Sequence, residues 1–199
     1  MAAIWRTYSR FVDKFPWGSN ILQTGVLCAT GDVISQLVVE RKPLSEFEWA
    51  RVGKFFLIGS CVVAPCVRTW YLTLEKIVKF PGPKGAFSKM CLDQSLFAPC
   101  FIVVFVSAAS TLNGLSSQEL VTNLRRDYTD ILLTNWKIWP ATQLANFYFV
   151  PFQHRILVVN VVALFWNTYL AYKTNSPKQI SDSPVEQGEK GASLLTPLR

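Results

Sequence analysis

Long apolar stretches alternate with short charged connections over the first 172 residues of the chain. A transmembrane helix needs about 20 mostly apolar residues, and four of the stretches are that long. We predict spans over about 18–39, 52–74, 90–112 and 153–172. The pattern therefore predicts an all-α fold, a polytopic membrane helix bundle with four transmembrane helices. An even number of spans also places both termini on one side of the membrane.

Two amphipathic helices are predicted outside the spans. In the first fifteen residues, apolar side chains share one face while Arg6, Arg10 and Lys14 recur every four residues. Such a helix can lie on a membrane surface, and its basic, acid-poor composition is also typical of mitochondrial targeting sequences. Between the third and fourth spans, residues 116–135 carry leucines on one face and charges on the other, which predicts a second helix along the surface.

The apolar stretch 138–172 is too long for one perpendicular span, because a single helix of that length would exceed about 50 Å. Pro140 is expected to interrupt it, so 140–150 is interpreted as a separate segment that enters the membrane or lies in its plane. Further on, the composition changes to Ser, Pro, Gly, Lys and Glu. This change predicts a single domain over 1–173 and a disordered tail over 174–199.

Four charged residues stand inside or at the edges of the apolar stretches: Asp32, Arg68, Asp93 and Arg155. A charge within the hydrocarbon costs at least ~2.5–3.5 kcal/mol, so such groups usually pair, face a cavity or mark a pathway. One interpretation is a water-filled path whose wall also holds four amide side chains: Gln36, Gln94, Gln143 and Asn146. The alternative is two buried ion pairs that only fix the register of the helices.

Three prolines are expected to kink the helices that shape this path: Pro65, Pro99 and Pro151. Two of them lie in a repeated triplet, Ala64-Pro65-Cys66 and Ala98-Pro99-Cys100, which is compatible with an internal duplication. Because a proline within a span leaves one carbonyl without its helical donor, another donor or water must satisfy that carbonyl.

The net charge of +7 does not indicate nucleic-acid binding, since the basic residues lie in short connections where they favour lipid headgroups. The five cysteines fall in or beside the spans and are interpreted as small apolar residues in helix contacts. The alternative is a redox pair of Cys61 and Cys66. His154 is the only histidine and no glycine-rich phosphate loop occurs, so the sequence predicts no enzyme, no metal site and no cofactor.

Specific motifs occur in the C-terminal third of the chain: Trp139–Pro151, Arg155 and Phe165–Leu170. Shorter motifs precede them: Pro16-Trp17, Gly31-Asp32 and Leu92-Asp93-Gln94. Over about residues 2–173 the sequence resembles the Mpv17/PMP22 family. Three further segments are most similar to the mitochondrial branch of that family: Phe97–Phe101, Leu112–Ser116 and Arg125–Tyr128.

This resemblance implies an integral four-helix protein of the mitochondrial inner membrane that acts as a non-selective, channel-like conduit for small hydrophilic solutes. It further implies support of mitochondrial DNA maintenance, nucleotide supply and redox homeostasis. The expected partners are membrane lipids and small hydrophilic metabolites or ions. The alternatives are a non-conducting scaffold that organises inner-membrane complexes and a peroxisomal membrane channel. A four-helix monomer is narrow for metabolites, so a homo-oligomer and a strongly kinked bundle both stay open.

Overall fold

The computed structural model of the chain describes residues 14–149 and 155–175, apart from the side chains of 146–148 and 155–157. Five long helices follow one another: α1 (Pro16–Val39), α2 (Trp49–Ile77), α3 (Gly82–Leu112), α4 (Ser117–Phe149) and α5 (Arg155–Asn175). A short 3-10 turn, Leu44–Glu46, lies between α1 and α2. No strand occurs in the described ranges, so the all-α prediction is confirmed.

Three of the predicted spans coincide with helices that are long and apolar enough to cross a membrane, namely α1, α2 and α3. The fourth, 153–172, overlaps α5, which is not among these three over its described residues, so that span stays a prediction. The predicted N-terminal amphipathic helix lies outside the described residues except for its last two positions. Pro151 and the tail beyond 175 also lie outside them.

The helices alternate in direction, which defines two ends of the bundle. At the end that we call the arginine end, Arg51 in the first turn of α2 donates to the carbonyl of Ala171 in α5, at 3.4 Å. At the same end, Asn113 after α3 donates to Asn175 at 3.1 Å. The α2–α3 connection, with Lys79, marks the opposite end, which we call the lysine end. The start of α1 and the end of α5 therefore lie at opposite ends of the bundle. The prediction that both termini lie on one side of the membrane assumed an even number of spans, whereas the five described helices alternate in direction.

Helix α4 runs without interruption through Pro140, so the predicted break at that residue is wrong. Proline removes one backbone donor and its ring crowds the preceding turn, but tertiary packing of the turns before it outweighs this cost. Ile131 is fully buried in the core, and the Trp139 ring lies 6.4 Å from that of Trp166 in α5. The predicted surface position of 116–135 is not confirmed, because Leu124, Tyr128 and Leu132 in this part of α4 pack against the hydrophobic core.

Small residues bring α1 against its two neighbours. A Cβ at Gly25 would collide with the hydroxyl of Ser60 in α2, and one at Gly59 would lie 2.7 Å from the carbonyl oxygen of Thr24. On the other side, a Cβ at Gly31 would lie 2.7 Å from Cβ of Asn167 in α5. Close approach through small residues is how membrane helices gain packing contacts.

Each of the three span-length helices contains one π-helical turn: Ser35–Val39 in α1, Gly59–Val63 in α2 and Asp93–Phe97 in α3. In α2 and α3 the turn ends directly before an Ala-Pro pair, Ala64-Pro65 or Ala98-Pro99. A proline cannot donate to the carbonyl four residues back and its ring clashes with it. The wider turn relieves that clash, and such turns often occur at functional sites.

Candidate functional site

The guanidinium of Arg51 joins three helices at the arginine end. Its Nε lies 2.7 Å from Oδ1 of Asp32 in α1, and both side chains are buried. Its two terminal nitrogens bind the carboxylate of Glu40, at 2.9 and 2.5 Å. The second of them also reaches the hydroxyl of Ser35 at 3.3 Å. Together with Gln36, these residues form what we call the Arg51 cluster.

Gln36 ties the Arg51 cluster to the start of α2. Its side-chain nitrogen donates to Oδ2 of Asp32 at 2.9 Å and to the carbonyl of Glu48 at 3.2 Å. Its oxygen accepts the backbone N–H of Glu48 at 2.8 Å. That N–H immediately precedes α2, so a buried amide supplies a partner at the beginning of the helix. The π-helical turn of α1 carries Gln36 one turn beyond Asp32.

The charges of the Arg51 cluster nearly balance. Burial raises the pKa of Glu40, but hydrogen bonds from Arg51 and Ser35 outweigh it and bring that pKa down to about 2. Lys42 lies 3.2 Å from Glu40, and its hydrogen bond with Glu48 raises its own pKa. Asp32, Glu40 and Glu48 thus face Arg51 and Lys42, three negative charges against two positive ones. Because buried charges are costly without a partner, the cluster acts as one interdependent unit.

A second polar group, which we call the Asp93 cluster, joins α2, α3 and α4. The indole N–H of Trp70 donates to Oδ1 of Asp93 at 2.8 Å, and the side chain of Gln94 donates to Oδ2 at 3.0 Å. Asn135 in α4 donates in turn to the side-chain oxygen of Gln94 at 2.8 Å. Asp93 is half-buried and, in the part of the chain that the structure describes, has no cationic partner.

The π-helical turn before Pro99 leaves a carbonyl free, and the Asp93 cluster satisfies it. In the five-residue repeat of this turn, the N–H of Ala98 donates to the carbonyl of Asp93. The next position, Pro99, has no N–H for the carbonyl of Gln94. The indole N–H of Trp136 takes that place, at 2.9 Å. This arrangement agrees with the expectation that a proline-freed carbonyl in a span requires another donor.

A cavity of about 930 Å³ lies between the helices and opens near the lysine end. Glu75, Lys79 and Lys89 line it beside the α2–α3 connection. Five uncharged polar residues line its interior, from four different helices: Thr24, Gln94, Asn135, Gln143 and Asn167. Asp93 completes the polar wall, while most of the remaining wall is apolar or aromatic.

Arg68 does not line this cavity. Its guanidinium lies over the ring of Trp17 at 4.9 Å, a cation–π contact. Within the ranges that the structure describes, its buried Nε has no hydrogen-bond partner. It lines a separate pocket of about 270 Å³ together with Asn20, Tyr71 and Glu75.

The structure separates the predicted site residues into three places. Asp93, Gln94 and Gln143 line the cavity. Asp32 and Gln36 lie in the Arg51 cluster, and Arg68 lies in the small pocket. The side chains of Asn146 and Arg155 are outside the described residues.

The partners of the two acids differ from the predicted pairing. Asp32 binds Arg51, which our predicted span boundary at residue 52 excluded, and Asp93 is held by neutral donors. The sequence does contain a signal for Arg51, since it is the first arginine after Asp32 and Glu40 that falls on an apolar helix. Cys61 is exposed and Cys66 half-buried, and both are free thiols. Among the described residues no group of His, Cys, Asp and Glu side chains could hold a metal ion.

Comparison with known sequences gives consistent matches. The pattern of the Mpv17 / PMP22 family matches residues 110–171. The mitochondrial inner membrane protein Mpv17 of Xenopus laevis is 49% identical over 88% of this chain and 99% of its own length. The human protein of that name is 43% identical over 87% of this chain and 98% of its own. Protein sym-1 of Neurospora crassa is 38% identical over 79% of this chain and 91% of its own. No solved structure matches the chain.

Proposed function

The chain belongs to the Mpv17/PMP22 family and is a protein of the mitochondrial inner membrane, and from this premise we propose that it is a non-selective, channel-like conduit for small hydrophilic solutes. Passage of such solutes would support mitochondrial DNA maintenance, nucleotide supply and redox homeostasis. The proposal involves no catalytic step and no cofactor. Since the relatives are named as mitochondrial proteins, the peroxisomal alternative is set aside.

The observation that carries the proposal is the polar wall of the cavity. A cavity of about 930 Å³ has room for many waters, whose own share of liquid volume is about 30 Å³ each. Asp93 supplies one negative charge within that wall, and the amides of Asn135, Gln143 and Asn167 supply donors and acceptors. Charged and polar wall groups are what set ion preference and wetting in membrane pores.

The Arg51 cluster supports a closed state of the proposed conduit. Cys28 and Leu170 line the inner part of the cavity. Asp32, which Arg51 binds, lies one helical turn after Cys28, and Ala171, whose carbonyl Arg51 also binds, directly follows Leu170. A solute leaving toward the arginine end would have to separate Arg51 from Asp32 and Glu40. We infer that this cluster is the barrier at that end.

The test is single-channel recording of the purified protein in planar bilayers, with Asp93→Asn as the main variant. Asp130→Asn is the matched control, because Asp130 is an exposed acid on α4 that pairs with Lys173 outside the cavity. We expect discrete openings whose cation preference or conductance falls in Asp93→Asn and is unchanged in the control. Silence of well-folded wild-type protein across voltage and pH would overturn the conduit.

The second candidate is a non-conducting scaffold that organises inner-membrane complexes. It is favoured by the Arg51 cluster, whose groups are consistent with a purely structural connection among α1, α2 and α5. Under this hypothesis Asp93→Asn would lower stability without a change in conductance. The same recordings, combined with thermal unfolding of both variants, separate the two functions.

A further inference from the structure

One stripe of α3 gives the cavity a gradient of polarity. Lys89, Asp93, Phe97, Phe101 and Phe105 are spaced four residues apart and all line the cavity. The stripe begins with charge at the lysine end and continues with aromatic rings toward the core. Phe97 and Phe101 stack with their centroids 5.0 Å apart. Sixteen residues of helix extend over about 24 Å, so the cavity wall changes from charged to apolar along that length.

The inner part of the cavity is suited to an apolar occupant. Besides the phenylalanines, Val63, Val67 and Ile102 line it, and they offer water no hydrogen bonds. Protein interiors are close-packed, and apolar walls without a neighbour lose dispersion contacts. Water enters only where polar partners exist. Filling the α3 side of this part therefore requires apolar groups, and the bilayer around α1–α3 is their nearest source.

The mouth of the cavity is positive. Lys89 is paired with Glu75, with Nζ and the carboxylate oxygen 2.5 Å apart. Lys79 is exposed, lines the cavity and forms no ion pair among the residues that the structure describes. One net positive charge thus remains at the opening.

We propose that the cavity binds an anionic amphiphile, with its acyl chain along the phenylalanine stripe of α3 and its anionic head at Lys79. The length agrees, because the eight residues from Phe97 to Phe105 rise about 12 Å. One leaflet of a ~30 Å hydrocarbon core, which an acyl chain crosses, is about 15 Å thick. Basic residues at the edge of a membrane attract anionic headgroups. The head is a phosphate diester of a phospholipid or the carboxylate of a free fatty acid. Binding requires no conduction, so its test does not rest on the proposed conduit, with which the ligand would share the cavity.

Asp93 does not oppose this arrangement. It lies one turn of α3 deeper than Lys89, and Trp70 and Gln94 already donate to its two carboxylate oxygens. The negative charge is therefore compensated by hydrogen bonds before any ligand arrives. The amide groups lie on the facing helices, where Asn135 is bonded to Gln94. The α3 side of the cavity therefore remains available to the acyl chain of the ligand.

The experiment is native mass spectrometry of delipidated full-length protein in neutral detergent, titrated with three probes. These are stearate, phosphatidylglycerol and the neutral phosphatidylcholine with the same acyl chains. Lys79→Gln is compared with Lys76→Gln, which removes a charge on the same helix end but outside the cavity wall. Ala163→Phe, which fills the cavity, is compared with Ala141→Phe on an exposed position of α4.

We expect saturable retention of phosphatidylglycerol, of stearate, or of both, and the retained mass identifies which head is bound. Lys79→Gln should weaken retention about fivefold, the factor for one lysine near an anionic surface, while Lys76→Gln should retain the wild-type affinity. Ala163→Phe should abolish retention, and Ala141→Phe should not. Equal retention of phosphatidylcholine, absence of retention in the wild type, or wild-type retention by both Lys79→Gln and Ala163→Phe would overturn the proposal.

Discussion

Replacing Arg51 by glutamine should destabilise the bundle more than any other single charge removal at the arginine end. The substitution deletes the 2.7 Å contact to Asp32, both hydrogen bonds to Glu40 and the bond to the carbonyl of Ala171. Asp32 is fully buried, so its charge would be left with Gln36 alone. Breaking a buried ion pair from one side costs about 3–5 kcal/mol.

A double variant separates charge from packing. If the cost comes from an unpaired buried carboxylate, then Asp32→Asn combined with Arg51→Gln should recover much of the lost stability, because no charge then remains without a partner. Arg51→Lys keeps the charge but cannot form the paired hydrogen bonds to Glu40, so it should fall between wild type and Arg51→Gln. Arg125→Gln is the control, since Arg125 is exposed and a surface change of this kind costs within about 0.5 kcal/mol.

The assay is thermal unfolding in detergent, followed by circular dichroism with tryptophan fluorescence as a second probe. Arg51→Gln should lower Tm by about 10 °C, the shift typical of several kcal/mol in a chain of this size. A double variant that is as unstable as Arg51→Gln alone would refute the reasoning. In that case the loss would come from packing of the arginine side chain, independently of its charge.

Two further predictions concern packing and pH. Gly25→Ala should lower the free energy of unfolding by about 1–3 kcal/mol, because its Cβ would collide with Ser60. In the same assay, Gly53→Ala should raise it by about 0.5–1 kcal/mol, since nothing lies within 4 Å of a Cβ at that position and glycine is unfavourable in a helix. The pKa of Glu40 falls from 4.5 to about 2 on folding, so its contribution is complete above pH 4.5 and is lost as the pH decreases toward 2. Denaturant unfolding of wild type and Glu40→Gln should therefore differ by at most about 3 kcal/mol at pH 7, and a difference that persists unchanged at pH 2 would contradict this.

The sequence predicted the helical class and three of the spans because apolar length alone determines them. It could not predict which charges pair. Asp32 and Arg68 each lie near the C-terminal end of a predicted span, and antiparallel helices place these two ends at opposite ends of the bundle. The connection after α1 turns back and brings Arg51 to Asp32 instead. At Pro140, by contrast, the sequence predicted a feature that the structure lacks. A local rule predicted a break there, and packing of the preceding turns of α4 overrides it.

The proline triplets were visible as a repeat, but their consequence depends on a backbone feature that no residue type encodes. A π-helical turn can be described as an α-helix with one inserted residue. Which carbonyl is freed follows from that turn, and so does the role of Trp136 as its donor. The sequence pattern identified Trp136 only as an aromatic residue near a predicted membrane boundary.

The extra residue in Asp93–Phe97 also acts as a phase shift within α3. One residue corresponds to about 100° of rotation, so the part of the helix before the turn faces a different direction from the part after it. Deleting a single residue there would rotate Lys89 and Met90 out of the cavity wall while the Phe101–Phe105 half stayed in the core. The one extra residue in this turn thus sets how the cavity mouth is oriented relative to the cavity interior.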